Sequence, residues 1–486
     1  MLPASKLFLT VHLAHIFIGL PSSLGDDLPP LDTSAESIGI AASDWGYTVS
    51  VTPQGVYHPN SASDLANLLS IADDHKIEVA ARGRGHNVLG TAQVENGIVV
   101  DMSSLNEIGE IETDGEKSSI WVGAGATWRD VAAQTLPLGQ LPPVFNDYID
   151  LTVGGTLSLG GVGSQTVFKG MQVDNVLELE IATIKDGVLS CSPSDGVCPF
   201  DAILGGLGQF GIITKVRLPL EPAPSTVNYI RALYSSLGDM LQEMDNLIAA
   251  AGVLGVQGFA APSDPQGLAV ATGNAFPDAV LPSDVGPFVF YLETYYDSSL
   301  GDGPVSGLAP VEGGLNSLLG IPTMVYLARL DPVEAALRAD GLWFFPHPWI
   351  DVFLPASQAE TFITDELSTL GPLDAVGPIL IYPYRTSTMS QPNIPLPSEE
   401  NIVLFALLRN AIPPTFARAA ELSADNVALY ERALAIGGTG YAIDAVPLDK
   451  MSWMTHFGAQ RWAELRSLKA QYDPHNILAP RQRVFA

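Results

Sequence analysis

The stretch HPNSASDLANLLSIADDHKIEVAARGRGHN, residues 58–87, decides the fold. Leu65, Leu68, Leu69 and Ala72 recur at helical spacing, and the apolar-rich IEVAA that follows reads as a strand. Ser61 or Ser63 can cap the helix, because a hydroxyl at that point accepts from an amide the helix leaves without a partner. A helix therefore feeds a strand, and the strand runs straight into RGRGH at 82–86. Its two glycines let the backbone come close to a ligand, and successive amides there can face an anion such as a pyrophosphate. On spacing alone, His86 is either a nucleophile for covalent flavin attachment or an ordinary surface histidine.

Outward from this unit the alternation of helix and strand continues. GIVVDMS at 97–103 and SIWVGAG at 119–125 read as strands, TWRDVAAQTL at 127–136 as a helix, and NVLELEIATI and FGIITKVRLPL as further strands up to the proline-rich EPAP at 221–224. LTVGGTLSLGGVG at 151–163 is a second glycine-dense turn, suited to phosphate binding or to plain turn geometry. GGLGQFG holds a literal G-x-G-x-x-G from Gly206 to Gly211. A helix-like segment precedes it and a strand follows, the reverse of the dinucleotide-binding context, so it is not read as that fingerprint. Beyond EPAP the composition shifts: helical SLGDMLQEMDNLIAAAG alternates with strand-like FVFYLETYY and TMVYLARL, and no lysine occurs between Lys215 and Lys450. Basic residues return after Met451 (Arg461, Arg466, Lys469, Arg481 and Arg483), so the tail is expected to fold back onto the first domain.

A chain of 486 residues exceeds the size at which one core stops growing, which favours two domains. With 53 acidic against 23 basic residues the formal charge is -30, so nucleic acid is excluded as a partner for want of a basic footprint. At the N-terminus, Lys6 precedes an apolar run from Leu7 to Leu20 and then small residues, which is the pattern of a signal peptide over 1–25. Secretion is the expected localisation, with no stable membrane insertion after signal cleavage. Cys191 and Cys198 either close a small loop or remain thiols. There is no HExxH, GxSxG or P-loop and no cluster of cysteines and histidines, so metal and serine-hydrolase chemistry are not expected. His58, His75, His456 and His475 stand apart from one another and suggest surface or capping roles.

The ordered segments ARGRGHN, GIVVDMS, NDYIDLTVGGTLSLGG, NVLELEIAT, FDAILGGLGQFGIITKVRLPLEPAP, PHPW and YDPHNILAPRQRVF resemble the cytokinin dehydrogenase family, of the vanillyl-alcohol-oxidase type, from about Tyr57 to the C-terminus. The resemblance implies an α+β fold: a two-subdomain PCMH-type FAD-binding domain over 48–224, and a substrate-binding domain over 225–445 with an antiparallel sheet covered by helices. A C-terminal segment, 446–486, returns to the first domain. It implies FAD joined through its 8α carbon to His86, with Ala81, Gly83, Arg84, Gly85, Asn87, Thr152, Ser158, Val162, Ile213 and Gln482 around the cofactor.

Asp147 matches the aspartate that bonds the substrate amine. It would accept the N–H proton while hydride leaves the adjacent carbon for flavin N5, giving an imine that water splits to adenine and an aldehyde. Without the resemblance, Asp147 or Asp150 reads equally as a turn cap. Trp349 matches an aromatic of the substrate cavity, where a purine or isoprenoid chain packs, and reads otherwise as a core anchor. His347 beside it reads as structural. The implied substrate is an N6-substituted adenine (a cytokinin), and the electron acceptor is oxygen or a quinone. A related oxidase acting on an alcohol or sugar, or a flavin binder without catalysis, are the alternatives. Asn87 in place of a usual serine, Thr91 in place of a common glutamine, and GYAIDAVPLDKMSW, which lacks the family's tyrosine-bearing motif, are departures from the pattern.

Overall fold

The computed structural model describes residues 28–194 and 198–485; the expected signal segment lies outside them. The helix Ala62–His75 starts on Ser61, whose hydroxyl accepts from the Asp64 amide at 3.1 Å, and stops at Lys76 in the left-handed region. Leu65, Leu68, Leu69 and Ala72 are its fully buried face, and each leucine contributes roughly 1.5–3 kcal/mol by leaving water. The strand that follows, Val79–Arg82, is one edge of a three-stranded parallel sheet with Ile98–Asp101 in the middle and Gly55–Tyr57 on the far side.

A second, antiparallel sheet lies alongside, in the order Ile108–Asp114, Lys117–Gly123, Ile212–Pro222, Glu178–Ala182, Val188–Cys191. Buried and half-buried positions alternate from Thr214 along Ile212–Pro222, as expected of a strand with one face in the core. Across its outer face Arg217 joins Glu178, Glu112 and Ser119. The helix Trp128–Thr135 opens on a reciprocal cap between Thr127 and Asp130. Cys191 and Cys198 form a disulfide with 5.6 Å between their Cα atoms.

The third sheet has eight antiparallel strands, running from Leu315–Pro322 at one edge, through Thr226–Tyr234, Phe288–Asp297, Val253–Pro262, Ile379–Arg385, Asn401–Leu407 and Ile350–Pro355, to Thr439–Gly440. Leu237–Ala249, Ala356–Thr369 and Phe416–Ala435 cover one face. The first domain packs against the sheet through Thr166–Lys169, which lies on Val253–Pro262 and Ile379–Arg385. One apolar core runs through both units.

Two readings of the sequence are corrected. TMVYLARL is not a strand: Thr323–Leu327 is a helical turn, begun where Pro322 ends the preceding strand. Its buried residues Thr323, Tyr326 and Leu327 are spaced i, i+3, i+4, a helical period that the short apolar run concealed. The glycine-dense 151–163 segment is not wholly a turn, because Val153–Leu157 forms a short helix within it.

The tail is bound to the first domain. Leu478 bridges Val79 in parallel, extending the small parallel sheet. Lys469, buried in the helix Ala459–Tyr472, donates to Gln209 and to Asp473.

Candidate active site

A cleft partly open to solvent lies where the two sheets of the first domain meet the tail. The RGRGH turn and the residues on either side of it contribute Ala81, Gly83 and Asn87, the second glycine-rich segment contributes Thr152 and Ser158, and Ile213 and Gln482 also line the cleft. Its backbone walls are close together: a Cβ on Gly83 would lie 2.1 Å from Thr152 Oγ1. Gly208 and Gly211 of the G-x-G-x-x-G segment also line it. They do so between the helix Phe200–Ile203 and the strand Ile212–Pro222, so the segment borders the cleft without the strand-to-helix geometry of a dinucleotide fingerprint.

Among the described residues no ionisable side chain lines the cleft, although the protein carries a charge of -30. A diphosphate placed there meets no carboxylate. Its glycine-lined walls and the absence of like charge among the described lining residues fit FAD.

Of the other residues singled out from the sequence, His86, Arg84, Gly85, Val162, Asp147 and Trp349 do not line this cleft. Arg84 is exposed. Gly85 takes φ +64°, and the Arg82 guanidinium occupies the space a Cβ would need. Val162 packs beside the core, and its carbonyl accepts from Asn146.

His86 lies at the end of the cleft-lining turn, inside an aromatic cluster. Its ring stacks 4.4 Å from Trp45, with Tyr148 at 5.0 Å, Trp349 at 5.9 Å and Trp343 at 6.1 Å. Burial, reinforced by His347, Arg338 and Arg84, pulls its pKa down to about 3, so the imidazole is neutral at physiological pH. His347 stacks on the other neighbour of this cluster, 3.7 Å from Trp45, and burial pulls it down to about 4.

Asp147 and Asp150, equivalent by sequence, are separated by the structure. Asp150 is bound by Arg129 through both oxygens, at 2.7 and 2.8 Å. Asp147 reaches across to the second domain, where Arg329 donates to one oxygen and the Tyr382 hydroxyl to the other. Burial, with the adjacent Asp147, keeps Tyr382 a phenol far above its ordinary pKa. Burial works against the charge on Arg329, but Tyr326, Asp147 and Glu293 around it hold its pKa well above the usual value. Glu293 lies 3.7 Å from Arg329 Nε and accepts from Gln257 at 2.8 Å.

Trp45, Tyr148, Arg329 and Tyr382 were not found from the sequence. Trp45 precedes any motif, and Arg329 lies in the stretch misread as a strand. Recognising that segment as helical would have drawn attention to Arg329, three residues beyond the buried Tyr326. His456, read as a surface or capping residue, lies half-buried in the last turn of Lys450–Phe457 and lines a small cavity with Phe457 and Tyr441, where burial lowers its pKa to about 4.

The first domain carries this cleft and faces a helix-covered antiparallel sheet. A solved VAO-type flavoprotein from Myceliophthora thermophila matches 92% of this chain and 85% of its own, with TM-score 0.67 and 16% identity, and so shares the fold. Residues 53–192 match the FAD binding domain family, and residues 313–485 match the family described as cytokinin dehydrogenase 1, FAD and cytokinin binding. Cytokinin dehydrogenase 9 of Oryza sativa subsp. japonica is 33% identical over 96% of this chain and 92% of its own. Cytokinin dehydrogenase 5 of the same rice is 34% identical over 98% and 97%. The chain belongs to the cytokinin dehydrogenase family and is an FAD-dependent oxidoreductase of the class acting on CH–NH donors.

Proposed function

We propose that the protein oxidises the C–N bond of N6-isoprenoid adenines, yielding adenine and an aldehyde, with FAD attached covalently to His86. The carrying observation is Asp147, a carboxylate from the cofactor domain fixed by two donors of the opposite domain. FAD, when bound, supplies the two-electron acceptor for the C–H bond beside the amine. Asp147 accepts the amine proton in the same step, and Arg329 and Tyr382 keep its oxygens aimed. Water then divides the imine into adenine and aldehyde. The planar faces of Trp349 and its aromatic neighbours suit a purine or an unsaturated chain.

For the attachment, the neutral His86 ring has a free lone pair, as a nucleophile requires. Ala81, Gly83, Asn87, Thr152, Ser158, Ile213 and Gln482 would hold the cofactor by backbone approach. Secretion rests on the Lys6 and Leu7–Leu20 pattern, and oxygen or a quinone would take the electrons away.

Isopentenyladenine with an artificial acceptor tests this reading, alongside a panel of alcohols and sugars. Adenine and aldehyde should form and the flavin should bleach anaerobically; neither product nor bleaching would sink the proposal. Asp147→Asn should slow flavin reduction by about 10²–10⁴-fold. Denatured wild type should stay yellow, and His86→Ala should lose its colour.

A further inference from the structure

Asp44, Trp45 and Gly46 run beside the end of the RGRGHN turn. The Trp45 amide donates to the Gly85 carbonyl at 2.8 Å and the Gly46 amide to the Asn87 carbonyl at 2.7 Å, so the residues on either side of His86 are both clamped to this short strap. The strap is fixed at its start as well: Arg82 donates to the Ser43 carbonyl at 2.8 Å, and the buried Asp44 carboxyl accepts from the Gly90 amide at 2.6 Å. Towards the second domain, the Gly46 carbonyl accepts from the His347 amide at 2.8 Å.

The two bonds that flank His86 bring Trp45 against its ring. The rings stack with centroids 4.4 Å apart and planes inclined by 23°, and the His347 ring stacks on the same indole at 3.7 Å and 5°. A histidine from each domain therefore rests on Trp45. Among the described residues no hydrogen bond reaches the His86 ring, so its orientation is set by aromatic contacts, of which Trp45 is the nearest and the most nearly parallel. The indole Nε1 is buried without a partner, so what Trp45 offers is its planar face. A nucleophile free to turn loses rate, because attack needs the reacting atoms aligned and within about 3–3.5 Å.

We infer that Trp45 is a positioning residue for the covalent attachment of flavin: its planar face holds the His86 ring in the orientation from which a ring nitrogen meets the flavin 8α carbon. The inference rests on the attachment proposed above. In that reaction a nitrogen–carbon bond forms, one hydrogen leaves the 8α carbon and one leaves the imidazole, and molecular oxygen takes both hydrogens with their electrons as hydrogen peroxide. The test uses the full-length protein as produced with its flavin, and compares flavin per chain before and after denaturation. Trp45→Leu should bind flavin as wild type does yet release most of it on denaturation, whereas Trp45→Phe, which restores a planar face, should keep it. Trp45→Met is read in place of Trp45→Leu if the latter does not fold. A covalent share in Trp45→Leu equal to that of wild type overturns the inference. A loss of total flavin with the covalent share unchanged does so too, since it assigns Trp45 to the stability of the fold, and so does a Trp45→Phe variant that retains no more than Trp45→Leu. Wild type that releases its flavin on denaturation overturns the attachment itself, and the positioning with it.

Discussion

Asp147 owes its setting to residues 182 and 235 positions away in the chain. Removing the Tyr382 hydroxyl leaves one carboxylate oxygen without its donor while Arg329 stays, so Tyr382→Phe should lower kcat about tenfold at little cost in stability, read by stopped-flow flavin reduction. Arg329→Met is a harsher change, because it leaves Asp147 and Glu293 without their shared cation. It should cost about 3–5 kcal/mol in denaturant unfolding, beyond any loss of rate. The pH dependence of Asp351 has a definite sign. Burial raises its folded pKa from 3.8 to about 7, so its contribution to stability is full below about pH 4 and is lost as the pH rises through about 7. Asparagine does not titrate. The stability of Asp351→Asn relative to wild type should therefore improve between pH 4 and pH 8, by up to about 4 kcal/mol. A constant difference in unfolding midpoints across that range would contradict it.

The turn that ends the strand Val79–Arg82 shows how an element constrains a site. Gly83 has Thr152 Oγ1 where a side chain would begin, so Gly83→Ala has to push apart the two glycine-bearing walls of the cleft. It should lower bound flavin per chain, measured by absorbance after gel filtration, with far smaller change at exposed Arg84→Ala. The turn's glycines were legible in the sequence because backbone geometry demands them. So was the helix before it, through its leucine spacing. The segment Thr323–Leu327 was not, because a short buried run carries too few residues to separate a period of 3.6 from a period of 2.

At the scale of the molecule, the cleft is complete only when the tail returns. Gln482 is one of its walls, and Lys469 holds the last helix to Gln209 within the first domain. Burial lowers the Lys469 pKa, yet Asp473, whose side chain has no exposure, keeps it paired at 2.6 Å. Lys469→Met should leave that carboxylate buried with only the amides of Ile477 and Leu478, costing about 3–5 kcal/mol and weakening the tail's hold on the cleft. Denaturant unfolding followed by both tryptophan and flavin signals would show it.

The sequence by itself determined the family, the α+β class and the glycine-lined cofactor turns, because those depend on local period, on backbone freedom and on the order of short segments. It also pointed to His86 and Asp147, but left His86 between nucleophile and surface residue and Asp147 level with Asp150. Tertiary structure set the surroundings of both. Trp45, Tyr148, and the neighbouring Trp343 and Trp349 come together around His86 from three separate stretches of chain, and burial among them keeps its ring neutral. Arg129 takes Asp150, while Arg329 and Tyr382 take Asp147. Contacts between distant residues leave no periodic trace along the chain, so only folding reveals which carboxylate faces the second domain.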